Sequence, residues 1–283
     1  MGNYDKISAY GSLLKRYIWF LAMAWTIIMG SSLGWELYLA EKAVLDIAYF
    51  EAKMSIDKDI LFRKWNAMQG GVYVAASEYT PPNPYLSHIP DRDIKLPSGK
   101  TLTLVNPAYM TRQVYEMAKK EFGTLGHITS QRPVNPNNAP DPWEARALEA
   151  FSQGKKEMNS IEKVGGKEYM RLMYPFFTEQ SCLKCHDIHG YKLGDLRGGI
   201  STSIPMAPLR AIMQPRVAYT YIRHILIWAI GLGAIIFAAR KLNKSETERM
   251  IAVNALREEK MRRKNILILP GMFWSSKPIK QSR

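Results

Sequence analysis

Cysteine is almost missing from this chain: its 283 residues hold two, Cys182 and Cys185, within "EQSCLKCHDIHG". No further cysteine exists to complete a structural zinc site, for which Cys182, Cys185 and His189 supply three of four ligands. No internal repeat is visible. Phosphate cradles are missing too, because the pairs Gly165-Gly166 and Gly198-Gly199 lack the strand–loop–helix context with a lysine and read as turns or bulges. The net charge of +14 comes without any groove-reading motif, so nucleic acid is not an expected partner. From Tyr17 to Trp35, "YIWFLAMAWTIIMGSSLGW", formal charge is absent altogether.

That uncharged stretch has about the length a bilayer's hydrocarbon core requires of a helix. A cleaved signal peptide normally has a shorter apolar region, roughly 7–15 residues, and no small-x-small cleavage site follows, which favours an uncleaved anchor. A second apolar segment, "ILIWAIGLGAIIFAA", runs from Ile225 to Ala239. Arg223 and Arg240 can snorkel from its ends, and Tyr219, Tyr221 and Trp228 suit the interfacial zone. Basic residues crowd outside both segments. The stretch from Arg240 to Arg283 holds twelve Lys/Arg against four Glu, and Lys6, Lys15 and Arg16 face only Asp5 at the start. By the positive-inside rule both ends are then cytoplasmic. The expected order is a cytoplasmic start (1–16), a first span (17–35), an extracytoplasmic region (36–223), a second span (224–240) and a basic cytoplasmic tail (241–283). In a bacterium this is a two-pass inner-membrane protein with a periplasmic main domain.

After the first span, "EKAVLDIAYFEAKMSIDKDILFRKWNAMQ" predicts a long helix closed by Gly70-Gly71. Ala43, Ile47, Phe50, Met54, Leu61, Trp65 and Met68 form an apolar stripe, interrupted at Asp57. The stripe serves either as one core-facing surface or as a signalling helix paired in a homodimer, and the two are compatible. "GVYVAAS" and "TLTLV" read as strands around a proline-rich polar loop, "YTPPNPYLSHIPDRDIKLPSGK". In "NPAYMTRQVYEMAKKEFG", Asn106 caps a helix with Pro107 at its first position and Gly123 after its end. "LGHITSQRPV" is strand-like, and "NAPDPWEARALEAFSQG" repeats the helix grammar from Asp141 and Pro142 to Gly154. "EMNSIEKVGGKEYMRLMYPFFT" reads as a hairpin about Gly165-Gly166, and "LRGGISTSIPM" as a last strand. The class is α+β: a PAS-like extracytoplasmic domain with an antiparallel sheet, flanked by two transmembrane helices.

Three chemistries compete for Cys182, Cys185 and His186. A thioredoxin-like dithiol wants a βαβ setting that is not there. Zinc lacks its fourth ligand. In c-type haem attachment, two thiols add across the vinyl groups and the adjacent imidazole takes the iron. That chemistry takes place outside the bacterial inner membrane, where charge independently puts these residues. One covalently bound haem c is expected, with Cys182 and Cys185 as anchors and His186 as proximal ligand. The second axial position is open. His88, His127, Met54, Met68 and Met110 all lie in the extracytoplasmic region, and any one of 15 methionines packs more readily than it ligates. Met110, near the start of a capped helix, and His127, at the start of a strand, are the first candidates. A five-coordinate iron is the alternative and suits gas binding.

The stretches "FRKWNAMQGGVYV", "TPPNPYLSHIPDRDI", "LTLVNPAYMTRQVYEMA", "GHITSQRPVNPNNAPDPWEARALEAF", "YMRLMYPFFTEQSCLKCH" and "GDLRGGISTSIPM" closely resemble the Tll0287-like (DUF3365) domain over about Ile60 to Met206. The resemblance implies a haem-c-binding, PAS-like module of the kind that fronts bacterial histidine kinases and diguanylate cyclases. It implies Cys182 and Cys185 as attachment points and His186 as proximal ligand. Some short soluble relatives take their other axial ligand from a further cysteine, which this chain lacks. "NKSETERMIAVNALREEKMRRK" resembles the start of a cytoplasmic signalling helix, but no kinase or cyclase motif follows. The expectation is a separate signalling partner or a truncated relative.

The leading function is a membrane-anchored haem-c sensor of redox state or a small gas, relaying to a cytoplasmic partner. The alternative is a membrane-bound monohaem cytochrome c exchanging electrons with a periplasmic redox partner. No enzyme is expected: Glu179, Asp187 and His189 sit near the motif, where charges tune a haem or solvate a surface.

Overall fold

The computed structural model describes residues 3–180, 183 and 190–268. In chain order its elements are α1 (Asn3–Met68), β1 (Val72–Ala75), β2 (Asp93–Lys95), β3 (Thr101–Val105), α2 (Pro107–Phe122), β4 (Leu125–Thr129), α3 (Pro142–Ser152), β5 (Met158–Val164), β6 (Lys167–Phe177), β7 (Leu196–Pro205) and α4 (Met206–Ile268). They make an α+β chain of two compact units, Leu37–Val217 and Met1–Glu36 with Ala218–Arg283. Both α1 and α4 are long and apolar enough to cross a membrane.

In the unit formed by the chain ends, the indole of Trp25 donates to the carbonyl of Trp228 (3.1 Å), and the indole of Trp228 donates to Thr26 Oγ1 (3.1 Å). Gly231 makes the close approach possible, since a Cβ there would lie 2.3 Å from the Trp25 ring. Arg223 pairs with Glu36, and Ser32 Oγ lies 3.2 Å from His224 Nε2.

The Leu37–Val217 unit is built from two antiparallel sheets, β1-β3-β2 and β4-β7-β6-β5. Local chemistry sets most of the boundaries. The Asn106 side chain accepts from Tyr109 N–H (2.9 Å) and Gly123 closes α2 in the left-handed region (φ 71°). Asp141 and Glu144 form a reciprocal capping box at the start of α3. Gly165 and Gly166 both have positive φ (58° and 79°) between the paired residues Val164 and Lys167, as a two-residue type I′ hairpin demands.

The four-stranded sheet carries helices on both faces. Met170, Leu172, Ile200 and Ile204 pack with Val44, Ala48, Ala52 and Ile56 of α1, all buried. Met173 points the other way, into a cluster with Trp143, Ala147, Leu148 and Phe151 of α3. This is the period-two alternation of a sheet buried on both sides.

Two expectations change. The α1 stripe is not the core-facing surface: Ile47, Phe50, Met54, Leu61, Trp65 and Met68 are all exposed, Met68 to 75%. The core instead takes the smaller neighbouring face, because alanines at 48 and 52 let the helix approach a sheet closely while the bulky stripe cannot. The segment read as a single polar loop holds a 3-10 turn at Pro84–Leu86 and the short strand β2, which pairs Ile94 with Leu102. Three residues are too few for alternation to show in the sequence.

Candidate functional site

Cys182, Cys185 and His186, with His189, lie outside the described residues. The chain on either side of them is described, and it borders a cleft. Phe176, near the end of β6, and Tyr191 line this cleft, an open groove with a cavity volume of about 90 Å³.

Each wall comes from a separate piece of chain. The first two turns of α2 supply Ala108, Tyr109 and Arg112; the end of β4 supplies Ile128; the loop after it supplies Arg132 and Val134; the start of β7 supplies Arg197. The 3-10 turn contributes Leu86, with His88 just beyond it. Two of the arginines are held over aromatic rings: Arg112 lies 5.2 Å from the centre of Tyr109, and Arg132 lies 4.9 Å from the centre of Tyr191. Tyr109 donates its hydroxyl to the Pro81 carbonyl (2.8 Å), and burial raises its pKa. The result is a pocket with apolar walls and three guanidinium groups, suited to a flat apolar body bearing anionic substituents.

His127 points elsewhere. Its Nδ1 lies 2.8 Å from Glu144 Oε2 and its Nε2 lies 2.8 Å from the Asn137 carbonyl. An acceptor beside each ring nitrogen favours the doubly protonated ring. Burial opposes that charge, but Glu144, the Asn137 carbonyl and Asp141 outweigh it, and the His127 pKa is raised. Glu144 is fully buried and also accepts from Ser201 Oγ (2.6 Å). Arg171 Nη2 is 2.8 Å from Asp141 and 3.5 Å from Glu144, with its guanidinium over the Trp143 ring at 4.3 Å. Burial raises the Asp141 pKa, but the backbone N–H groups of Glu144 and Trp143 and the Arg171 charge more than offset it, and the carboxyl sits below its usual range. This network ties α3 to β4, β6 and β7.

Met110 does not line the cleft either; its sulfur accepts from Asn66 Nδ2 at 3.7 Å. The structure thus separates the two residues tested first as axial candidates from the cleft, and puts there His88, named with them among five possible ligands, and three arginines that sequence reasoning did not single out. The arginines lie up to 85 positions apart, Arg112 to Arg197, and no local pattern groups them.

An α+β unit with antiparallel sheets, a C-x-x-C-H motif in the sequence and two long apolar helices define the class. The Tll0287-like family model, described as Tll0287, matches residues 48–205, more than half of the chain. The chain belongs to the Tll0287-like family. The crystal structure of the cyanobacterial heme-protein Tll0287 is 22% identical, over 33% of this chain and 68% of that one, with a TM-score of 0.28. Membership rests on the family match and not on that distant likeness. No match was found among curated proteins.

Proposed function

We propose that this protein holds one covalently attached haem c in the cleft, as a membrane-anchored sensor of redox state or a small gas that acts on a cytoplasmic partner. Cys182 and Cys185 are the thioether anchors and His186 the proximal ligand. The observation that carries this is the cleft itself, whose border residues Phe176 and Tyr191 bracket the C-x-x-C-H segment in the chain.

The donor set fits. Leu86, Ile128, Val134 and Phe176 offer apolar contact to a porphyrin ring, and Arg112, Arg132 and Arg197 offer charge-assisted hydrogen bonds to its carboxylates. When bound, the group supplies an iron that changes oxidation state or takes a gas. The polypeptide's task is to hold it, to set its polarity and to respond. We read the four-stranded sheet and its helices as the PAS-like responding module, with β7 running directly into α4 as the route outward. A homodimer through the exposed α1 stripe belongs to the same proposal.

The test starts with the purified full chain, co-expressed with a haem-attachment system. After denaturation and acidified-acetone extraction, the pigment is expected to stay on the polypeptide at one haem per chain, and to be lost when both cysteines are replaced by alanine. Pigment that extracts freely rejects the covalent site. Hydrogen exchange along β7 and α4 then separates the functions. A change on reduction or on adding carbon monoxide supports sensing, whereas no change together with rapid reduction by small redox proteins supports a periplasmic electron carrier.

A further inference from the structure

Asparagine followed by proline occurs three times along the chain, at Asn83-Pro84, Asn106-Pro107 and Asn135-Pro136. Each pair starts a helical turn: the 3-10 turn Pro84–Leu86, the helix α2, and a second 3-10 turn at Pro136–Asn138. In each, the asparagine Oδ1 accepts a backbone N–H, from Tyr85 (3.1 Å), Tyr109 (2.9 Å) and Asn137 (3.0 Å). That sets which way round each amide lies and leaves its NH2 as the group not spent on the cap. All three asparagines line the cleft, and Asn83 and Asn135 are exposed to only 5% and 7%.

Arg112, Arg132 and Arg197 stand around the same hollow, and no aspartate or glutamate lines it among the described residues. Arg92, Arg171 and Arg210 of the same unit each hold a carboxylate. The three guanidiniums of the cleft form no ion pair or hydrogen bond among the described residues. Arg112 and Arg132 are held instead over the rings of Tyr109 and Tyr191, both buried. Three like charges gathered without a counter-charge repel one another, and donors gathered without acceptors go incompletely satisfied. One anion carrying several oxygens relieves both. The hollow sets its size: about 90 Å³ is the liquid-volume share of roughly three waters, which suits an ion as large as phosphate.

We propose that the cleft binds a small free oxyanion of about phosphate size, gripped by Arg112, Arg132 and Arg197 together with the amides of Asn83, Asn106 and Asn135. Only described residues take part, and haem is not required. Haem carboxylates would call on the same guanidiniums, so the two ligands are alternatives here and experiment tells them apart.

Isothermal titration of inorganic phosphate into the purified full chain in detergent, with sodium chloride holding the ionic strength constant, tests this. One phosphate per chain is expected. Arg132→Gln and Arg197→Gln should each weaken it about tenfold or more, the usual worth of a hydrogen bond to a charged group. Lys120→Gln, an exposed change on α2 outside the cleft, should leave the affinity as it is. Phosphate should also raise the wild-type melting temperature beyond what chloride does at equal ionic strength. Absence of saturable binding, or an affinity that both arginine variants leave intact, overturns the site. Binding confined to a chain with Cys182→Ala and Cys185→Ala, and missing from pigmented wild type, gives the guanidiniums to haem carboxylates; it overturns the free ion while upholding haem. Phosphate bound by a wild type without covalent pigment does the reverse.

Discussion

Glu144 is the residue on which most of the buried polar structure converges. It accepts from Ser201 and faces His127 and Arg171, while its carboxylate also returns to the Asp141 N–H at 3.1 Å. Removing the charge leaves two cations without their buried partner, which typically costs about 3–5 kcal/mol. Glu144→Gln should therefore shift thermal unfolding of the full chain sharply downward. The sign of the pH dependence follows from His127. Its folded pKa is raised, so its contribution is complete below the unfolded value of about 6.5 and is lost as pH rises through the folded value. Melting curves across that window should show falling stability in the wild type and a flat profile in His127→Gln. A wild-type profile that is flat or rises would remove the imidazolium from the account.

Elements meet most tightly where β4 joins β7. Thr129 pairs with Gly199, and a Cβ on Gly198 would lie 2.0 Å from the Thr129 carbonyl oxygen, which is backbone and cannot swing aside. Gly198→Ala should cost roughly 1–3 kcal/mol by forcing the strands apart. Because Gly198 also lines the cleft, the same change should disturb the haem proposed there, seen as a shifted absorption maximum alongside the lower melting temperature. Gly165→Ala is the contrasting case. Nothing crowds its Cβ, and the penalty there comes only from its left-handed backbone (φ 58°).

For the molecule as a whole, charge and hydropathy set the proposed topology, and with it the side of the membrane each part would occupy. Alkaline phosphatase fused after Gly154 should be active, since that enzyme needs an oxidising exterior, and a fusion after Arg263 should be inactive. The reverse pattern would place the cysteines in the cytoplasm, where haem attachment of this type does not occur, and would end the haem proposal along with the topology.

Much was legible in the residues themselves because its causes are local. Asn106 with Pro107, Asp141 with Glu144 and Gly165-Gly166 announce helix starts and a hairpin through bonds made within a few positions, and all three appear where expected. The uncharged apolar runs and the C-x-x-C-H spacing are likewise written in consecutive letters. Tertiary structure alone decided which face of α1 meets the sheet, since both faces are apolar and only the close approach allowed by Ala48 and Ala52 distinguishes them. It also decided that His127 is bound to Glu144 and that His88 shares a cleft with Arg112, Arg132 and Arg197. Those meetings depend on how strands pair and helices pack over long separations, and no local spacing encodes them.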